Sequence, residues 1–343
     1  MRSNLDLMGC ILSPLERIEK IYLVDTLSAC CGELHKCSHI TVKPNNMELV
    51  YYIVDVFTDK PFGGNQLAVV PHAEGIDEPM LQQIAREFNF SETSFVFPPE
   101  NAENDCRLRI FTPAIEVPTA GHPTIGTAYI LLSEGILSPR QPGKAIFEEK
   151  VGKIGISYVF SDGSIHDIGM TQPLPVFGPS HDNLETIASV LSLPVDAIDK
   201  RYPIQSVSCG NNFLFVPVKR LSDLTVIKLR ADLLEKHKEE MDSTELYVFS
   251  TQTLYPDSTT HGRMFAPLFG IAEDPVTGSA SGPLGCYLVR HGISDGRAII
   301  CEQGFEIGRP GIVNVHIETA RGAITSVFVS GNAVKISQGV FYL

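Results

Sequence analysis

Tryptophan is absent from these 343 residues, and long apolar runs and clustered positive charge are missing as well. No window approaches the roughly 18 consecutive apolar residues that a membrane-spanning helix needs. Lysine and arginine nowhere gather into a patch, and the formal charge of −13 is spread along the chain. Nucleic acid and anionic membranes are therefore not expected as partners. The N-terminal MRSNLDLMGCILSPLERIEK sets charges on both sides of a very short apolar patch, which is not the pattern of a secretory signal. A cytoplasmic protein is expected. There is no P-loop and no GxGxxG after a strand, so no nucleotide cofactor is expected. Cysteines at positions 10, 30, 31, 37, 106, 209, 286 and 301 follow no regular framework, which in a chain this long reads as reduced thiols. Three of them share CCGELHKCSH (30–39) with two histidines, but without the paired CxxC spacing of a zinc site. No metal is expected.

What the chain does contain is an internal repeat. The first half carries GNQLAVVP (64–71), RIFTP (109–113) and EVPTAGHPTIG (116–126). The second half carries GNNFLFVP (210–217), RMFAP (263–267) and EDPVTGSASGPLG (273–285), in the same order and at similar separations. Three collinear matches point to a duplicated domain. YYIVDVF (51–57), QLAVVP and ETSFVFPP read as strands, being short, rich in β-branched and aromatic residues and bounded by Gly, Pro or Asn. MLQQIAREF (80–88) has the i, i+3, i+4 spacing of a helix. TIGTAYILLSEG and GPLGCYLVRHG are nearly uniformly apolar and end at Gly135 and Gly292, so each predicts a helix buried on every side. The expected architecture is α+β: two similar halves, each a curved sheet wrapped around a central apolar helix.

Both buried helices open from Gly-rich turns, and helix N-termini present unpaired N–H groups and a positive dipole end. An acidic protein can hold a small carboxylic acid this way, with the backbone N–H groups around Gly121, Gly278 and Ala280 as a cradle. Glu92 stands where a helix gives way to an apolar strand, and a carboxyl pressed into apolar surroundings is suited to giving and taking protons. On local sequence alone it reads sooner as a capping or surface residue. His122 fits a turn or a hydrogen bond to substrate; Asp274 and Ser279 fit a turn and a helix cap as well as a site. Asn65 suits either a cleft or a turn, Asn211 a turn. Arg309 suits either a ligand carboxylate or a turn-fixing ion pair.

Taken together, DVFTDKPFGGNQLAVV, REFNFSETSFV, RIFTPAIEVPTAGHPTIG, EDPVTGSASG and EQGFEIGRPG resemble the PhzF-type phenazine-biosynthesis isomerases, which share the diaminopimelate-epimerase fold. The resemblance runs from about Tyr51 to the C-terminus and leaves out residues 1–46. It implies that Glu92 is the acid/base residue, that His122 lies in the active site, that Asp274 orients polar groups or handles protons, and that Ser279 donates a hydrogen bond. The two cysteines of the diaminopimelate epimerases correspond to Ala120 and Ser279, so two-thiol racemisation is not expected. The implied function is a cofactor-independent isomerase, moving a proton on a cyclic or unsaturated carboxylic acid in the cleft between halves. Epimerisation of an amino-acid-like substrate and a non-catalytic binding role stand as alternatives, and a homodimer is the implied assembly. The expected division is an N-terminal extension of unreadable role (1–47), a first half-domain (48–166, joined by a C-terminal strand at 333–343) and a second (167–332).

Overall fold

Two helices that are apolar all round set the plan. In the computed structural model, which describes residues 47–343, they are α2 (Gly121–Ser133) and α6 (Gly278–Arg290); the CCGELHKCSH segment lies outside the described residues. Ten of the thirteen residues in each are buried, which only a surrounding sheet can provide. Each stops two residues before a glycine in the left-handed region, Gly135 at φ 66° and Gly292 at φ 69°, where a side chain would be strained.

The strands that surround them repeat. In the first half these are β1 (Glu48–Val56), β2 (Asn65–Val70), β3 (Glu92–Phe97), β4 (Cys106–Phe111), β5 (Glu116–Val117), β6 (Lys144–Glu149), β7 (Gly152–Ser161) and β8 (Ser164–Gln172). In the second they are β10 (Ile204–Ser208), β11 (Asn212–Pro217), β12 (Leu246–Ser250), β13 (Thr260–Ala266), β14 (Ile271–Asp274), β15 (Ile299–Gln303), β16 (Gly311–Ala320) and β17 (Ala323–Gly331). The pairings match one for one. β2–β3 and β4–β6 are parallel, as are β11–β12 and β13–β15; every other pair in the two series is antiparallel. β8 and β17 pair antiparallel and join the halves.

Each half also donates a strand to the other. After β8 the chain crosses to lay β9 (Val176–His181) against β10, and after β17 it returns to lay β18 (Ala333–Tyr342) along β1. The described residues accordingly form one compact unit. Outside the sheets, α1 (Glu78–Phe88) presses Leu81, Ile84 and Ala85 onto Phe95 and Phe111. It begins two residues earlier than its apolar spacing predicts, because the Asp77 side chain accepts from the Met80 amide (3.0 Å) and caps the extra turn. α3 (Leu184–Leu191), α4 (Leu221–Thr225) and α5 (Ala231–His237) cover the other half in the same way, over Leu214, Leu246 and Phe265. No helix among the described residues is long and apolar enough to cross a membrane.

Candidate active site

The two central helices meet at their N-termini. A Cβ on Gly121 would lie 2.8 Å from the Ser279 amide nitrogen and 3.0 Å from the Gly278 carbonyl carbon, so backbone touches backbone there. Gly278 in turn leaves room for the fully buried ring of Phe57, which sits at φ 66°. The entries are built alike. Ala120 and Thr277 are the N-caps, and Thr124 and Ser281 each return their hydroxyl to the cap carbonyl, at 2.7 and 3.0 Å. His122 and Ser279 are therefore structural mates. Of the expected cradle amides, Ala280's is taken up by the Thr277 carbonyl (3.1 Å), while those of Gly278 and Ser279 head α6, where no helix carbonyl can reach them.

Glu92 is the first residue of β3 and faces inward, on the same side as Val96, which packs in the core around α2. Its Oε2 lies 3.5 Å from Nε2 of His122, and neither atom has a hydrogen-bond partner among the described residues. Burial, then the nearby charges of Asp274 and Glu245, push the Glu92 carboxyl up to about 8. Burial pushes His122 down to about 3, opposed only in part by a backbone hydrogen bond to Gln66, so the imidazole is neutral at ordinary pH. A carboxyl that titrates near neutrality beside a neutral imidazole can take a proton from a weak carbon acid and hand it back.

Asp274 ends β14 and is buried. It accepts from Asn65 (2.9 Å), Ser91 (3.1 Å) and the Thr277 hydroxyl (2.5 Å); burial nevertheless raises its pKa against these bonds. Asn65 and Ser91 belong to the first half, so this carboxylate fastens the halves together directly beside Glu92. Asn65 also donates to the Val276 carbonyl (2.9 Å), which makes it a bridge across the cleft. Gln303 braces the same turn, receiving the Thr277 amide (3.0 Å) and donating to the Asp274 carbonyl (2.8 Å). Arg309 pairs with Asp55 (2.6 Å) and holds the Gly63 and Gly64 carbonyls, which is the turn-fixing role. Ser279 is partly exposed.

The sequence reading missed Ser91, Thr277, Gln303 and Glu245. The first three are polar residues whose worth depends on long-range contacts. Glu245 stands outside the three repeat blocks. The four described cysteines, at 106, 209, 286 and 301, are free and buried, and none sits at a helix entry. Among the described residues no group of three or more His, Cys, Asp or Glu side chains is placed to hold a metal ion. Five surface recesses, of about 370 to 730 Å³, are lined by none of Glu92, His122, Asp274 and Ser279.

Comparison with known proteins follows the same architecture. A family described as phenazine biosynthesis-like protein (PhzC-PhzF) matches residues 54–339. An uncharacterized isomerase of Clostridium acetobutylicum is 35% identical over 291 residues, 83% of this chain and 95% of that protein. A trans-2,3-dihydro-3-hydroxyanthranilate isomerase of Pseudomonas chlororaphis is 32% identical over 295 residues, 85% of this chain and 99% of that protein. The crystal structure of a PhzF-family phenazine biosynthesis protein from Bacillus anthracis superposes with a TM-score of 0.80 at 31% identity, covering 87% of this chain and all of that one. The fold alone extends to amino-acid epimerases and racemases at 11–12% identity, the diaminopimelate-epimerase-like architecture.

Proposed function

This chain belongs to the phenazine biosynthesis-like PhzC-PhzF family, and from that premise we propose that it is an isomerase that moves a proton on a small cyclic or unsaturated carboxylic acid. One observation carries the reading: Glu92 Oε2 and His122 Nε2 face each other at 3.5 Å, buried and otherwise unpartnered, with the carboxyl raised to about 8. The substrate carboxylate rests on the Gly278 and Ser279 amides at the α6 N-terminus, beside Gly121 and within reach of the Ser279 hydroxyl. Glu92, ionised, removes a proton from a carbon conjugated with that carboxylate and returns it elsewhere in the conjugated system. No electrons are gained or lost, so the reaction itself calls for no redox cofactor. The two halves, β1–β8 with β18 and β9–β17, act as jaws that exclude water from the carbanion-like intermediate. A cytoplasmic homodimer is the expected setting.

The test is direct. The protein is incubated in deuterated water with trans-2,3-dihydro-3-hydroxyanthranilate and a panel of cyclic and amino carboxylic acids, followed by NMR and thermal shift. At least one acid should both stabilise the protein and exchange a carbon-bound proton. Glu92→Gln should keep the stabilisation and lose roughly 10³-fold in exchange rate. Stabilisation without exchange in the wild-type protein would leave a binding protein on this fold.

A further inference from the structure

The first turn of α6 is poorly held by its own helix. The helix begins GSASGPLG, rich in glycine, and Pro283 brings no N–H to the Ser279 carbonyl one turn before it. α2 carries its proline at Pro123, inside the first turn, where an N–H would have had no helix partner in any case. The weakly held turn is the one whose amides the proposed carboxylate needs. Contacts from outside the helix must keep it in place.

Two side chains flank it. The Phe57 ring lies against Gly278, and Gln172, the last residue of β8, donates from Nε2 to the Gly278 carbonyl at 3.0 Å. Gln172 is buried, and a Cβ on Gly282 would lie 1.9 Å from its Oε1, so glycine at 282 is what lets the arm lie along the turn. Oε1 has no hydrogen-bond partner among the described residues. A buried acceptor without a partner costs stability, so packing alone would be better served by an apolar side chain. The arm comes from the last strand of the first half and its target lies in the second. The opposite arm does not exist. β8 and β17 pair about Met170 and Val329, which gives Gln172 and Gly331 equivalent places, and a Cβ on Gly331 would lie 2.6 Å from the Phe57 ring.

A trans peptide points its C=O and its N–H in opposite directions. Fixing the Gly278 carbonyl therefore fixes the Ser279 N–H, which belongs to the same peptide unit. A hydrogen bond accepted by the carbonyl also polarises that unit and strengthens the N–H as a donor. We propose that Gln172 is a positioning residue for the substrate carboxylate, holding the Gly278–Ser279 peptide so that the Ser279 N–H faces the cleft. The inference rests on the isomerase reading above, which seats the carboxylate on that N–H. Gln172 moves no proton and acts on the ligand through this one peptide.

The sequence itself supplies the probe. Gly-Ser occurs in it only twice, at Gly163–Ser164 and Gly278–Ser279. Protein carrying carbonyl-¹³C glycine and ¹⁵N serine therefore gives two linked ¹³C–¹⁵N signals by NMR, and the pair between β7 and β8 serves as the control. Benzoate, a flat cyclic carboxylate, is the titrant. In wild type it should move the Gly278–Ser279 signal and leave the control in place. Gln172→Met keeps the length of the arm and removes the donor; its Gly278–Ser279 signal should start displaced, and the Kd for benzoate should rise about 10-fold. Gln172→Glu should bind as weakly at about pH 8.5, where an ionised carboxyl faces the Gly278 carbonyl. At about pH 6 its protonated carboxyl donates in place of the amide, and most of the affinity should return. Ratios to wild type at each pH remove the titrations of Glu92, His122 and Asp274. Equal Kd values in wild type and Gln172→Met overturn the proposal. So does a loss in Gln172→Glu that is the same at both pH values, which would make the arm a packing element only. Should Gln172→Met fold poorly, Gln172→Glu at the two pH values decides alone. Benzoate that moves neither signal in wild type overturns the carboxylate cradle of the isomerase reading, and the proposal with it.

Discussion

The two halves share a scaffold and divide the chemistry. In each, an arginine on the fourth strand grips a glutamate just ahead of the central helix through two hydrogen bonds: Arg109 to Glu116 at 2.8 and 2.6 Å, Arg263 to Glu273 at 2.8 and 2.6 Å. In each, a glycine opens the helix and a hydroxyl returns to the cap. The next residue differs. Beside the glycine the first half has His122 and the second Ser279, and the place of Val117 in the first half is taken by Asp274 in the second. The duplicated parts hold backbone in place, and the parts that diverged touch the cleft. Duplication thus supplied a geometry, and single-residue divergence within it made a site with two unlike sides.

The largest test of that division concerns the shared brace, whose surroundings differ. Arg263 is buried and also holds the Leu224 carbonyl at 2.7 Å, whereas Arg109 is partly exposed and Glu116 has a second cation in Lys150. Arg263→Ala should cost about 3–5 kcal/mol in urea unfolding, because it removes a buried cation that partners both Glu273 and the Leu224 carbonyl. Arg109→Ala should cost about 1 kcal/mol or less. Equal losses would mean that the two braces carry equal load despite their burial.

In the diverged pair, His122→Ala should lower kcat about 10²-fold, roughly 2.7 kcal/mol, with little change in melting temperature. Ser279→Ala removes one hydroxyl donor and should cost about 10-fold, read mostly in KM. A larger loss from Ser279 than from His122 would reverse the assignment of roles. Gly121→Ala comes next, at about 1–3 kcal/mol of stability, since the added carbon meets the backbone of the other helix.

A last test is one of sign. Glu92, raised to about 8 by burial and by Asp274 and Glu245, contributes stability that is complete below the ordinary carboxylate range and is lost as pH rises through 8. Glu116 runs the other way: burial raises it, but Arg109 and Lys150 outweigh burial and hold it below its usual value. Its contribution is present at neutral pH and lost on acidification. Thermal melts from about pH 5 to 9 should therefore lose a downward slope in Glu92→Gln, and melts below about pH 5 should lose an acid-limb slope in Glu116→Gln. Slopes that survive either substitution would contradict the pairing in question.

The central helices and their ends were legible in the sequence because an all-apolar stretch stopped by glycine has few other solutions. The duplication was legible because turns and helix entries need particular residues and so keep them. Glu92 was found through the SETSF motif, since nothing local separates a buried glutamate from a capping one. Glu245 was not found, because a strand is specified by β-branched and aromatic character alone, and SETSFVF and TELYVFS share little beyond that. Its equivalence to Glu92 exists only in the pairing register. Ser91, Thr277 and Gln303 went unread for a related reason: their partners lie far away in sequence or in the folded turn, and a polar side chain in isolation does not say what it will meet.

The exchange of β9 and β18 has a consequence for how the protein is made. β1, the first strand among the described residues, lies between β2 and β18, so one of its edges stays open until β18 has been made. At ordinary elongation rates that wait, roughly three hundred residues of synthesis, lasts about 15–60 s. During it β1 presents an unpaired row of amides and carbonyls, a template for misassembly with other nascent chains. The edge of β10 is covered much sooner, since β9 is already made when β10 emerges. Synthesis should therefore pass through a long stage in which the strands of the second half find β9 waiting for them, while the first half, though older, still lacks its last strand.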